Sequence, residues 1–124
     1  DVSDKQSLED TFKFTKNTFG RLDIVGNNAG IGDEENWEKQ IAVNLTAVVR
    51  GTYLGLDYMR KDKGGNGGVI INTASMAGMI PLFTGPVYTA TKHGVVGLSR
   101  AVGVRFTFIN IRLSVIAQAF LSKQ

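Results

Sequence analysis

Residues 3–19 carry Leu8, Phe12 and Phe19 at helical spacing, with Thr15 completing the stripe, and this periodicity predicts an amphipathic helix. Ser3 stands where an N-cap is wanted, and Gly20 is able to take the left-handed conformation that ends a helix. Leu22-Asp23-Ile24-Val25-Gly26 is a short apolar run closing on Asn27-Asn28-Ala29-Gly30, which reads as a buried strand and then a turn. A long helix follows over residues 37–60, with Asn36 as its cap. Ile41, Leu45, Val48, Thr52, Leu56 and Met59 line one stripe of it, and Ala47, Leu54 and Tyr58 make other faces apolar too. Residues 61–68 are polar and glycine-rich, a loop, and Val69-Ile70-Ile71-Asn72 is a second buried strand. A loop from Ala74 contains Pro81 and Pro86, and a third helix starts near Pro86 and runs to about Ala101. Residues 109–116 alternate as a third strand. Val104, Phe106, Thr107, Phe108 and Ile109 crowd their own χ1 angles, so the third helix is expected to be shortened or distorted at its end.

Helices alternating with near-continuous apolar strands imply right-handed crossovers and a parallel sheet. The fold class is α/β, half of a doubly wound sheet, with residues 1–124 as one partial domain. Ligands of such sheets sit beyond the carboxyl ends of the strands, here residues 27–30, 75–86 and Gln118 onward. No internal repeat or low-complexity segment is found.

Composition changes this picture mainly by exclusion. Hydrophobic residues make up 43% of the 124 and charged residues 20%, enough to bury a core. Lys and Arg number 14 against 11 Asp and Glu, a net charge of +3 with the signs interleaved, which excludes a nucleic-acid binder read from charge. The absence of cysteine excludes a disulfide scaffold and a zinc–thiolate site, and one histidine makes no metal cluster. No apolar run approaches the roughly 18 residues of a membrane span, and no signal segment opens the chain. The expectation is a cytoplasmic protein without a membrane span. Asp1 in place of an initiator Met gives the further expectation of a fragment of a longer chain.

The informative chemical spacing is Tyr88-x-x-x-Lys92. Four residues apart on a helix, the two side chains share a face, and a nearby ammonium lowers a phenol's pKa from about 10 toward neutrality. Such a tyrosine exchanges a proton with an alcohol or carbonyl at physiological pH. A surface pair of neighbours has the same spacing. Ser75 lies at the carboxyl edge of the second strand, 13 residues before Tyr88, where its hydroxyl can reach the same substrate oxygen or satisfy a turn. Residues 27–30 are a third element, or a plain turn. Asn44 is the fourth, a polar residue on an apolar helix or a back-bonded amide. His93 is read as structural, Trp37 and Phe83 as packing or pocket wall, and Met76, Met79 and Phe83 as loop over or under the site.

In this order and spacing, Asn27-Asn28-Ala29-Gly30, Asn44, Ser75 and Tyr88-x-x-x-Lys92 resemble the short-chain dehydrogenases/reductases. Within the family the nearer likeness is to its NAD-dependent prostaglandin-oxidising branch and alcohol-dehydrogenase-like relatives, on residues 19–24, 36–39, 51–59, 86–88 and 91–94. The resemblance implies a partial Rossmann-type sheet lacking the N-terminal Gly-rich βαβ unit. It implies Tyr88 as general acid and base, and Lys92 lowering its pKa and holding the nicotinamide ribose. Ser75 would orient the substrate oxygen, and Asn44 would keep a water that links Lys92 to solvent. Asn28 would lie near the adenosine ribose, and Asp1 and Val2 would touch adenine. The cofactor is NAD, with NADP left open, and the substrate a secondary alcohol or ketone such as a hydroxylated lipid. The family's pairing of long helices implies a homodimer, with Leu54 and Val96 at its contacts.

The chain also departs from the family pattern. Ala117-Gln118-Ala119-Phe120 replaces a Pro-Gly, Lys123 stands near an expected Thr, and Gly85 replaces a substrate-contacting Gln. The rival expectations are a truncated, non-catalytic member acting through dimerisation, and a nucleotide-binding module without chemistry. Turnover by residues 1–124 alone is not expected.

Overall fold

The computed structural model describes residues 1–105 and 111–116. Helix α1 (Lys5–Phe19) is capped by Asp4, whose carboxylate accepts the Ser7 N–H at 2.6 Å. A cap must stand directly before the first helical residue, so Ser3 is one place early; its N–H and hydroxyl donate to the Asp1 carboxylate instead. Gly20, at φ 75°, closes the helix as expected by donating its N–H to the Lys16 carbonyl. Phe12 is buried, but Phe19 is 70% exposed, so the apolar stripe ends before its last member.

Strand β1 (Ile24–Asn27) leads through a loop to the predicted long helix, which is interrupted. It consists of α2 (Trp37–Ile41), a π-helical turn over Ala42–Thr46, and α3 (Ala47–Met59). Asn36 occupies the N-cap position but does not cap with its side chain. That side chain donates to Asp33, whose carboxylate also accepts the Asn36 N–H and closes the preceding turn. Strand β2 (Gly68–Thr73), helix α4 (Pro86–Arg105) and strand β3 (Ile111–Ile116) complete the order. Single 3₁₀ turns at Lys61–Lys63 and Met76–Gly78 fall in the two predicted loops. The shortening or distortion expected at the end of α4 falls mainly on Phe106 to Ile109, outside the described residues. The helix passes Ala101 and reaches Arg105, because Val102 is buried in the core, and packing outweighs the propensity of a β-branched residue. Phe106 to Asn110, including the expected start of β3, and residues 117–124 with Gln118 and Lys123 lie outside the described residues.

The strands form one parallel sheet in the order β1-β2-β3, with Val25 opposite Ile70 and Gly68 opposite Ile111. Phe12, Val25, Leu56, Met59, Ile70, Val102 and Ile111 make one core cluster, so α1, α3 and α4 all pack on one sheet face. Along β2, Ile70 and Asn72 are buried while Val69, Ile71 and Thr73 are only partly so, and on β1 Ile24 is 65% exposed. Burial on both faces was expected of these strands. Among the described residues only one face carries helices. Val96, expected at a contact with a second copy, is buried inside the chain with Val48, Ala74 and Val95; Leu54 is partly buried against the core.

Helix α3 comes close to the sheet at Gly51 and Gly55. A Cβ on Gly51 would lie 2.1 Å from Asn27 Oδ1, and one on Gly55 3.1 Å from both Ile70 and Val25 side chains. The close approach brings a polar ladder across the core. Asn27 Nδ2 donates to Asn72 Oδ1 (2.8 Å) and Thr52 Oγ1 (3.3 Å), and Thr52 donates to Asn72 Oδ1 (3.3 Å). Asn72 Nδ2 then donates to Ser99 Oγ (2.9 Å), which donates to the Val95 carbonyl. Among the described residues no helix is long and apolar enough to cross a membrane, and no three metal-ligating side chains gather.

Candidate active site

Two loops and a helix end meet at the carboxyl end of the sheet: residues 28–36 after β1, residues 74–85 after β2, and the first turn of α4. Tyr88 and Lys92 lie one turn apart on α4, with Lys92 Nζ 5.5 Å from the centre of the Tyr88 ring. The meeting expected from their spacing is therefore present. Lys92 is only 3% exposed, and its ammonium donates to the Thr73 carbonyl at 3.1 Å, where β2 ends. Burial pushes its pKa below the ordinary lysine value.

Ser75 lies two residues beyond β2 and is also buried. Its hydroxyl oxygen accepts the Ala77 N–H at 3.2 Å and so caps the Met76–Gly78 turn. The hydroxyl proton is not used in that bond. Asn44, fully buried, sits in the π-helical turn and grips one residue twice: Oδ1 accepts the Ile31 N–H (2.8 Å) and Nδ2 donates to the Ile31 carbonyl (2.7 Å). Its side-chain amide is thus engaged in fixing the loop after β1, with a longer contact to Thr91 Oγ1 at 3.5 Å. Gly30 crosses so close that a Cβ there would lie 3.4 Å from Lys92 Nζ and 3.6 Å from Asn44 Oδ1.

Asn28 and Val2 line a separate groove of about 330 Å³ beside β1, with Phe12, Ala29 and Val48. Asp1 is exposed next to it and receives bonds from Ser3. Thr73 joins this groove to the Tyr88 cluster, since its hydroxyl donates to Asn28 Oδ1 (3.0 Å) and its carbonyl accepts a hydrogen bond from the Lys92 ammonium. His93 Nδ1 lies 3.0 Å from the Thr89 carbonyl, a helix-surface contact that fits the structural role expected of it. Trp37 and Phe83 are exposed, as are Met76 and Met79, so none of the four packs under the site.

Sequence reasoning missed Thr73, Glu34 and Gln40. Glu34 receives the backbone N–H groups of Val87 (3.0 Å) and Tyr88 (2.8 Å), and Gln40 holds its carboxylate through Nε2 (3.0 Å). The partners are more than fifty residues apart, and a lone Glu in a polar loop carries no local signal of them.

These contacts give a pH dependence. The Tyr88 N–H holds the Glu34 carboxyl below its ordinary range, and the Asn36 side chain does the same for Asp33. Both carboxylates therefore stabilise the fold above their unfolded pKa values, and that contribution is lost as pH falls through the lowered folded values. Lys92 acts at the other end. Its folded pKa lies below 10.5, so the unfolded chain binds more protons in that window and stability rises with pH across it. The denaturation midpoint is expected to fall below about pH 4 and to climb as pH rises toward the ordinary lysine value. A Lys92→Met variant should lose the alkaline rise.

A Lys ammonium offers three donors, and Thr73 takes one, so ribose-type hydroxyls can be met by the others. The glycine at 30 leaves backbone rather than side chain against that ammonium. This donor set fits the nicotinamide end of a dinucleotide.

Residues 1–123 match the family described as short chain dehydrogenase. Human 15-hydroxyprostaglandin dehydrogenase [NAD(+)] is 50% identical over 98% of the chain and 47% of its own length. The 3beta-hydroxysteroid dehydrogenase 2 of Eggerthella lenta is 38% identical over 94% of the chain and 47% of its own. Among solved structures, levodione reductase superposes with a TM-score of 0.87 at 36% identity, covering 96% of this chain and 48% of that one. The chain spans about half the length of the curated relatives it matches.

Proposed function

The chain belongs to the short chain dehydrogenase family, and from that premise we propose that the natural full chain containing it interconverts a secondary alcohol and its ketone with NAD. The observation that carries the proposal is the buried Lys92 ammonium beside the Tyr88 ring at the end of β2, with the Ser75 hydroxyl two residues on.

When bound, the nicotinamide dinucleotide supplies the acceptor or donor of the hydride. Everything else falls to the chain. In the oxidative direction the Tyr88 phenolate removes the proton from the alcohol oxygen, and in the reductive direction the phenol returns it. The ammonium of Lys92 stabilises the phenolate, and its burial keeps water from screening that field. Ser75 donates its unused proton to the same substrate oxygen. Asn44, through Ile31, keeps the loop after β1 in place against Lys92. Lys92 would hold the nicotinamide ribose, and Asn28, Val2 and Asp1 the adenosine end.

The proposed substrate is a hydroxylated lipid. Relatives named for prostaglandin and steroid hydroxyls support this, as does the loop between Ser75 and Tyr88, which exposes Met79, Ile80, Leu82 and Phe83. A homodimer is part of the same proposal, with the outward side of α3 around Tyr53 as its surface, and so is residence in the cytoplasm. The test is to purify the natural full chain and follow NADH fluorescence with a panel of hydroxylated fatty acids, sterols and simple secondary alcohols. NAD-dependent oxidation that saturates with substrate is expected. Saturable NADH binding without turnover on any of them would leave a nucleotide-binding module, and no binding at all a non-catalytic member.

A further inference from the structure

The first turn of α4 needs two partners for its backbone. Pro86 has no N–H, and the Thr89 N–H already reaches the Gly85 carbonyl at 2.8 Å. That leaves the N–H groups of Val87 and Tyr88, and both go to one carboxylate, Glu34, one to each oxygen. Most caps are local, but this one comes from the loop after β1. The carboxylate is not free to turn. Fully buried Gln40 donates to Glu34 Oε1, and its own oxygen accepts the Asp33 N–H. An anion at this end of a helix is also favoured by the helix dipole.

We propose that Glu34 is a positioning residue for proton transfer: by clamping the Tyr88 backbone, it sets where the phenol stands relative to Lys92 and Ser75. This rests on the reading of Tyr88 as the acid and base. The physical reason is leverage. Lys92 is fixed deep in the site by the Thr73 carbonyl, whereas Tyr88 sits in the first turn, the end of a helix that frays most readily. A small rotation of that turn is magnified at the far end of the tyrosine side chain, while Lys92 stays put. The phenol oxygen would then stand off from the ammonium and from the Ser75 hydroxyl.

Glu34→Gln keeps the size of the side chain but presents an N–H₂ to one of the two backbone donors. In the natural full chain it should lower kcat about ten- to a hundredfold, with KM within about threefold, as a small misplacement of a reacting group does. The sign of a pH shift separates positioning from charge alone. Around Tyr88 the structure records Lys92 on its own helix and Glu34 from the facing loop. Removing a negative charge would lower the phenol pKa, but moving the phenol away from Lys92 raises it. The basic limb of the kcat/KM profile is therefore expected to move to higher pH in Glu34→Gln. A second readout serves even if the variant does not fold. In the wild-type protein the amide protons of Val87 and Tyr88 should shift together on acid titration, with a midpoint below the ordinary glutamate value. Amide signals that do not titrate, or an unchanged kcat with a fallen or unmoved kinetic pKa, overturn the proposal. Tyr88→Phe runs alongside: if it keeps turnover, the reading of the site itself fails, whereas an inactive Tyr88→Phe beside a normal Glu34→Gln sinks the role of Glu34 alone.

Discussion

Tyr88→Phe in the natural full chain is expected to lower kcat on the order of a thousandfold while cofactor affinity stays within about twofold, as loss of a general acid and base does. The substitution removes one oxygen and keeps the ring. The contact between the ring and the Lys92 ammonium at 5.5 Å survives, and so does the backbone clamp on residue 88, which uses only the N–H. Lys92 remains on the Thr73 carbonyl, so the groups proposed to hold the ribose are unchanged. What disappears is the group proposed to exchange a proton with the alcohol. Ser75 cannot substitute, since an unassisted hydroxyl is far too weak an acid or base there. Steady-state kinetics paired with NADH titration by fluorescence checks both halves. A Phe variant within tenfold of wild type would remove Tyr88 from the chemistry.

Asn72→Ala is expected to cost about 3 kcal/mol of folding stability, through loss of hydrogen bonds in a closed polar ladder. One amide there receives Asn27 and Thr52 and donates to Ser99, linking β2 to β1, α3 and α4. Alanine leaves the Thr52 hydroxyl and one Asn27 bond without an acceptor and opens a small void. Each stranded buried donor costs about 1–3 kcal/mol. Ser99→Ala should cost less, near 1 kcal/mol, because it strands only one amide proton. Chemical denaturation of the natural full chain gives both values. Equal effects, or a loss below about 1 kcal/mol for Asn72→Ala, would mean that water or a side-chain rearrangement satisfies these groups instead.

Much of this was legible in periodicity. Alternation of apolar runs and amphipathic stripes placed both ends of α1, β1 and β2 to within two residues, because a parallel sheet with packed helices leaves strong period-3.6 stripes and unbroken apolar strands. Tyr88 and Lys92 were legible because i, i+4 spacing on a helix is itself a contact. Three features were not. The cap of α1 fell on Asp4 rather than Ser3, since two adjacent capping residues differ only in where the first turn closes. The apolar strands implied cover on both faces, but an apolar side chain states what it prefers to touch and not what is there to touch it; Ile24 and Val69 have no helix above them among the described residues. Glu34 and Gln40 were silent because their work is done on backbone donors, which every sequence supplies alike.

The π-helical turn at Ala42–Thr46 has a consequence for insertions and deletions. An α-helix advances about 100° per residue, so in an unbroken helix Gln40, Asn44, Gly51 and Gly55 would fall along a single side. Here they serve two clients: Gln40 and Asn44 hold the loop after β1, and Gly51 and Gly55 lie against the sheet. The wide turn absorbs one residue beyond what regular winding would use, and so offsets the two sides by roughly the 100° of that residue. A chain one residue shorter within 42–46 could therefore run as a plain α-helix and still aim both halves correctly. What the additional residue supplies is a register in which one helix serves the loop and the sheet at once. Loss of a single codon just after Asn44 would then leave both sets of side chains on their clients, whereas the same loss elsewhere in the helix would turn one set away, so tolerance to deletion concentrates at one place in the gene.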